Sequence, residues 1–208
     1  MSAPARSSVS AAKRTARGES TRERILEAAR AEIIASQGGM QLAAVAKRAG
    51  VSPGLPYRYF ESKSALLVAV VQSFFDAVDD TVYRPVFEEV SPDWWEREKA
   101  RIAALVGFFY DEPLGAFIVT QLAGDAAVVE ARHTRMTRQI RGAARNVKTG
   151  KKLGRVPAHI DEQIGGALLM GGVYEAIDLA LTSKPRMNKH RLMTELQSFM
   201  RHVLQIEE

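Results

Sequence analysis

Apolar positions recur at helical spacing along most of this chain, and no convincing succession of strands and helices appears. Leu42, Val45, Ala46 and Ala49 fall at i, i+3, i+4 and i+7, which places one apolar stripe on a short helix over 42–49. Gly50 stands where a C-cap needs a left-handed residue, and Val51 can close the cap with an apolar contact. Ser52 as N-cap and Pro53 at the first helical position predict a second helix over 53–60. Two short helices joined by a brief turn containing glycine form the layout of a helix-turn-helix, whose second helix can enter the major groove. Upstream, Ser20-Thr21-Arg22-Glu23 has the form of a capping box. It predicts a helix over about 21–36 with Ile25, Leu26, Ala29 and Ile33 inward, ending at Gly38-Gly39.

Downstream the same period continues. Ser62 should cap a long helix over 63–81 that buries Leu66, Leu67, Val70, Val71, Phe74, Phe75 and Val78. Pro85 and Pro92 mark a loop over 83–92, followed by helices over 93–110 and 114–123. A helix over 126–149 carries Val129, His133, Met136, Ile140, Ala143 and Val147 at heptad-like spacing. Gly150, Gly154 and Pro157 mark a loop. Residues 162–182 are apolar nearly all round and should be buried on several sides. The last helix, over 188–206, has Leu192, Leu196, Phe199, Met200 and Val203 on one face. The pattern predicts an all-α chain of about nine helices. Residues 1–19 read as a disordered basic arm, 20–65 as a helix-turn-helix domain with its motif at 41–60, and 66–208 as a larger helical domain.

Charge sharpens this division. Residues 1–63 hold 11 Lys/Arg against 5 Asp/Glu, whereas residues 64–208 hold 18 against 19. All the net positive charge therefore lies with the helix pair, as expected of a nucleic-acid binder. Arg6, Lys13, Arg14 and Arg17 either follow phosphates as an arm or form a passive solubilising tail. Cysteine is absent, which removes disulfides, thiolate metal sites and cysteine nucleophiles. No stretch reads as a membrane span or secretory signal, so a cytoplasmic protein is expected.

The runs Thr21-Arg-Glu-Arg-Ile-Leu-Glu-Ala-Ala, Ala46-Lys-Arg-Ala-Gly-Val-Ser and Tyr57-Arg-Tyr-Phe-Glu-Ser-Lys-Ser-Ala-Leu-Leu occur in order at the right spacing. Together they resemble the DNA-binding domain of TetR/AcrR-family transcriptional regulators over about residues 20–70. The resemblance implies phosphate contacts from Tyr57 and Lys63 and a groove-facing turn Ser52, Pro53, Gly54 and Leu55, with Gln41 and Tyr59 nearby. The residues themselves add that inward Pro56 and Phe60 would turn Gly54 and Arg58 outward. Arg58 could then read guanine or hold a phosphate. Core packing is the alternative for Tyr59, and a solvated helix start for Lys63. Two departures stand out. Leu55 replaces the Thr or Ser frequent in the family, and Pro56 removes a bond to the Ser52 carbonyl. Pro56 also biases Leu55 away from helical angles, which predicts a loosened or offset first turn.

The resemblance further implies a homodimer on a palindromic double-stranded operator, with the final two helices forming a four-helix interface with their symmetry mates. Leu168, Gly172, Leu192, Leu196, Phe199 and Val203 are the expected contacts. A small-molecule effector is implied as well. By aromaticity and position, Trp94, Trp95, Phe109, Phe117, Gln121, His133, Met136 and Tyr174 are candidate pocket walls, with core packing the alternative. Around the 126–149 helix no acid occurs between Arg132 and Arg155. That basic stripe is either a solvated face or a contact for an anionic effector or a second nucleic acid.

Enzymatic readings fare poorly. Gly50-Val51-Ser52-Pro53-Gly54 matches Gly-x-Ser-x-Gly, but that nucleophile needs a preceding strand and an α/β scaffold. The four histidines are dispersed without metal spacing, and no cofactor is expected. A transcriptional regulator is the expected function, most readily a ligand-responsive repressor. An activator, an effector-independent regulator or a helical protein-interaction module are the alternatives.

Overall fold

Helix formation begins well before the capping box at Ser20. The computed structural model describes residues 6–84, 89, 91–119 and 121–207, without the side chains of residues 6–17, Val119, Gln121 and Ala123. In it, α1 runs over Arg6–Ala35. The backbone of residues 6–18 is therefore helical where a disordered arm was expected, and Ser20 lies inside the helix rather than at its start. Ala11, Ala12, Lys13, Arg14, Ala16 and Arg17 are good helix formers, so the helix that starts in the core propagates toward the N-terminus. Residues 1–5 lie outside the described residues.

The chain divides into two units, Met1–Val70 and Val71–Glu208, with the division inside α4. The first unit holds α1, α2 (Leu42–Ala49), α3 (Pro56–Tyr59) and the start of α4 (Lys63–Val78). Ile25, Ala29, Ile33, Val45, Ala46, Phe60 and Leu66 form its core. Gly50 terminates α2 as the sequence predicts, with φ 64° and ψ 40°. The Val51 amide returns to the Ala46 carbonyl at 3.0 Å and the Gly50 amide to that of Lys47 at 3.2 Å, a Schellman closure. Arg24 of α1 donates to the Ala49 carbonyl at 2.5 Å and so ties α1 to the end of α2. Ser62 caps α4, accepting from the Ala65 amide at 3.0 Å.

In the second unit α4 runs into a π-helical turn, Asp79–Tyr83, and is followed by α5 (Trp94–Asp111) and α6 (Leu114–Val119). A 3₁₀ turn over Gln121–Gly124, α7 (Ala126–Lys152), α8 (Glu162–Thr182) and α9 (Lys189–Val203) complete it. Among the described residues there are thus nine α-helices and no strand. Asp93, Asp125, Asp161 and Asn188 cap α5, α7, α8 and α9 by accepting backbone amides in the first turn. Each such cap stabilises by about 1 kcal/mol.

Small residues set the helix separations. A Cβ on Gly166 of α8 would stand 2.8 Å from the Ala144 nitrogen and 3.0 Å from the Ile140 oxygen of α7, so the two backbones nearly touch. A Cβ on Gly172 would meet the Phe199 ring at 2.5 Å. Gly150, expected in a loop, lies inside α7, because the Trp94 indole rests on it where a side chain would stand at 2.8 Å. By length and composition alone α8 is long and apolar enough to cross a membrane. Half of that window is buried inside this fold, as in a core helix.

Candidate nucleic-acid interface and interior cavity

The turn before the recognition helix departs from its predicted form. The expected N-cap Ser52 and first helical residue Pro53 instead lie in a tight turn, closed by the Leu55 amide donating to the Ser52 carbonyl at 2.9 Å. The α-helix starts at Pro56, with Leu55 as N-cap. This is the offset first turn that Pro56 predicts: it has no N–H for the Ser52 carbonyl, which takes the Leu55 amide instead. Leu55 itself is not displaced from helical angles as expected. It keeps φ −68° and ψ −36°, held by the turn behind it and by the Arg58 amide donating to its carbonyl.

Pro56 and Phe60, four residues apart, are both buried and anchor this segment to the core. The opposite face is open. Gln41, Ser52, Pro53, Gly54, Arg58 and Lys63 are exposed, and Tyr57 is 59% exposed although it is a large aromatic. Leu55 and Tyr59 are half-buried at the edges. Nothing lies within 4 Å of the position of a Gly54 Cβ, so the backbone there can be approached closely. Behind this face Arg22 stacks over the Phe60 ring at 5.1 Å, and Arg48 pairs with Glu32 at 3.2 Å. A hydroxyl, an amide, two cations and an exposed phenol on one face make a surface for phosphate and base edges. Ser52 has no strand before it, so the Gly-x-Ser-x-Gly match has no nucleophile elbow.

The second unit encloses a cavity of about 360 Å³. Its apolar wall includes Trp94, Ile102, Leu105, Val147, Leu169, Met170, Val173 and Met200. Its polar wall holds Asp79, Tyr83, Arg84, Glu98, Arg101, Arg135, Arg138, Gln139, Arg145 and Asn146. Arg135 is the hub of that wall. Although charged it is buried, and it pairs with Asp76 at 2.9 Å, with Asp79 at 2.5 Å and with the Phe75 carbonyl. Tyr83 stands beside Tyr174, and burial pushes its phenol up to about 12. Burial pushes the Tyr174 phenol well up too, so both remain neutral donors at physiological pH. Tyr174 interacts with Tyr83 and Gln139, whereas Trp94 Nε1 is a buried donor without a hydrogen-bond partner among the described residues.

Residues 25–70 match the family model described as bacterial regulatory proteins, tetR family. The HTH-type transcriptional repressor KstR of Mycolicibacterium smegmatis is 49% identical over 61 residues, 28% of this chain and 29% of that protein's length. Over residues 25–70 the chain is thus similar to TetR-family regulators. A TetR-family regulator from Pectobacterium atrosepticum superposes with a TM-score of 0.74 at 19% identity, over 93% of this chain and 98% of that one. FadR from Bacillus subtilis in complex with stearoyl-CoA superposes at 0.67 with 16% identity, over 86% and 96%. At such identities the likeness is one of fold.

Within this fold the expected pocket residues are scattered. Trp94 lines the main cavity. Its neighbour Trp95 lines a separate shallow groove with Lys99, Thr194 and Gln205. His133, Met136 and Tyr174 line a smaller hollow of about 200 Å³ that shares Arg135 and Gln139 with the main one. Phe109 is core, stacked edge-on against Phe74 at 5.3 Å and Tyr174 at 5.8 Å. Phe117 is half-buried and lines none of these hollows, and the Gln121 side chain lies outside the described residues. The heptad-like stripe of α7 is not its buried face, since Val129 is 50% exposed and His133 is exposed. Arg135 and Gln139 are buried instead, because the two carboxylates neutralise one cation and Gly166 draws the Ile140–Ala144 backbone inward. The Asp79-Asp80 pair after an apolar helix was the available signal for a buried cation.

The expected dimer contacts also divide. Leu192 and Leu196 are 2% exposed and pack inside their own unit, so as partner contacts they are corrected. Gly172 seats Phe199 of the same chain. Leu168 is 54% exposed, and Ile164 at 63% and Leu179 at 62% join it on one face of α8. Leu168 was expected on that face, whereas Ile164 and Leu179 were not, because α8 reads as apolar all round.

Proposed function

We propose that this protein is a homodimeric repressor that occupies an inverted-repeat operator and is released by a small molecule bound in the second unit. The open face from Ser52 to Lys63 carries the reading. Its reading groups are exposed while Pro56 and Phe60 hold the backbone, the arrangement a major-groove reader needs. A twofold dimer would set two such faces on half-sites about one helical turn apart or a multiple of it, which makes the site a palindrome. The solvent-facing apolar row Ile164, Leu168 and Leu179 supports α8 as the dimer face. The KstR relatives are described as repressors, which supports the sign of regulation.

The cavity supports ligand control, and the fold neighbour FadR is described with stearoyl-CoA bound. A ligand that favours the conformation poor in DNA affinity must weaken operator binding by linkage. Selection of bound fragments from genomic DNA tests the reading. Recovery of one palindromic sequence is expected, and recovery of random fragments would overturn it.

A further inference from the structure

The arginines of the cavity are not equivalent. Arg101 pairs with Glu98, Arg84 with Asp80, and Arg135 with Asp76 and Asp79. Arg138 and Arg145 line the same cavity and have no ion-pair partner among the described residues. They lie seven residues apart on α7, and thus two turns apart on one face. Gly142 and Ala143 lie between them and also line the cavity. The Arg145 guanidinium lies over Gly142, 3.7 Å from where its Cβ would be. Two exposed cations without an acid partner on one face of α7, both lining the cavity, make a positive potential there that favours an anion. Trp94, which also lines the cavity, holds in Nε1 a buried donor without a partner among the described residues.

We propose that the cavity takes a small amphiphile with an oxyanion head, held by Arg138 and Arg145, and an apolar body against Trp94, Ile102, Leu105 and Met200. The assignment rests on the cavity being the effector site. Arginine suits a carboxylate or phosphate because its planar fork donates in pairs. The volume of about 360 Å³ is near the lower end for ligand sites, so the apolar body is short or compact. The basic stripe of α7 is thereby divided. Arg132 and Lys151 face acids of α8, Arg155 faces Asp93, Arg141 and Lys148 lie off the cavity wall, and Arg138 with Arg145 lines it without an acid partner.

The test uses four ten-carbon probes on the full chain by titration calorimetry: decanoate, decyl phosphate, decan-1-ol and decylamine. At least one anion should bind on the order of tenfold more tightly than the alcohol, with the amine weakest. Preference for decanoate or for decyl phosphate identifies the head group. Arg138→Gln with Arg145→Gln should erase that preference while decan-1-ol binds as before, which shows that the cavity remains folded. Equal binding of all four heads, binding of none, or a preference that survives in the variant would each overturn the proposal. Release of a selected DNA fragment is followed in parallel. An anion that binds with head-group preference yet leaves DNA bound would sink the effector reading and leave the head-group assignment intact.

Discussion

Replacing Gly166 by alanine sets two opposed effects against each other at a site where the structure decides between them. Alanine gains about 0.5–1 kcal/mol over glycine inside a helix, because less backbone freedom is lost on folding. Against this, the new methyl would stand 2.8 Å from the Ala144 nitrogen, 3.0 Å from the Ile140 oxygen and 3.2 Å from the Ala144 Cα. All three are backbone atoms, so no side chain can turn away, and α7 and α8 must move apart. Overpacking of this kind costs about 1–3 kcal/mol, and the rigid neighbours place it at the upper end. A net loss of about 2 kcal/mol follows, or roughly 4–8 °C in melting temperature for a chain of this size. Gly107→Ala on α5 is the matched control, since its Cβ would meet only the flexible end of Lys189 at 3.6 Å. That variant should gain about 0.5–1 kcal/mol. Thermal and urea unfolding followed by far-ultraviolet circular dichroism read both. A Gly166→Ala protein as stable as the parent, or equal shifts in the two variants, would refute the close approach of the two helices.

Leu168→Asp places a charge in the middle of the exposed α8 row and should yield a monomer in sedimentation velocity with its fold retained. A dimer that persists removes this face from the interface. Lys63→Ala should weaken binding of every DNA sequence alike and lower the slope of log affinity against log salt by about 1. An unchanged slope contradicts a phosphate contact. Burial raises the Asp178 carboxyl from its ordinary 3.8 to about 6, with Arg132 opposing the shift and Glu175 adding to it. A carboxyl whose folded value is raised contributes stability that is present below about pH 4 and lost as pH rises through about 6. Asp178→Asn should therefore flatten the pH dependence of unfolding free energy across that window. A slope as steep as the parent's would assign it to other groups.

The parts legible in the sequence were those governed by local rules. The period of apolar positions located α2 and α8 to the residue, and the caps at Gly50 and Ser62 follow from chemistry within a few positions. Pro56 announced the offset turn for the same reason, since a missing N–H is a local fact. The cavity was hardly legible, because its wall gathers residues from the π-helical turn and four helices, and aromaticity does not say which way a side chain points. Phe109 and Trp94 look alike in sequence, yet one fills the core and the other borders a hollow. Arg135 was hidden among seven other lysines and arginines of α7, and its position opposite Asp76 and Asp79 sets it apart. The α8 face was read only at Leu168, because a helix apolar on every side carries no moment to indicate which side is left bare.

The two tryptophans stand side by side in the chain but in unlike surroundings. Trp94 is 3% exposed against Gly150 and the cavity, while Trp95 borders an open groove. Indole fluorescence shifts to the red in water and to the blue in apolar surroundings, so the emission band of the protein is a sum of two separable colours. Acrylamide should extinguish the red component first and leave the blue one to report on whatever enters the cavity. The protein thus carries its own optical gauge of occupancy together with an internal reference one residue away.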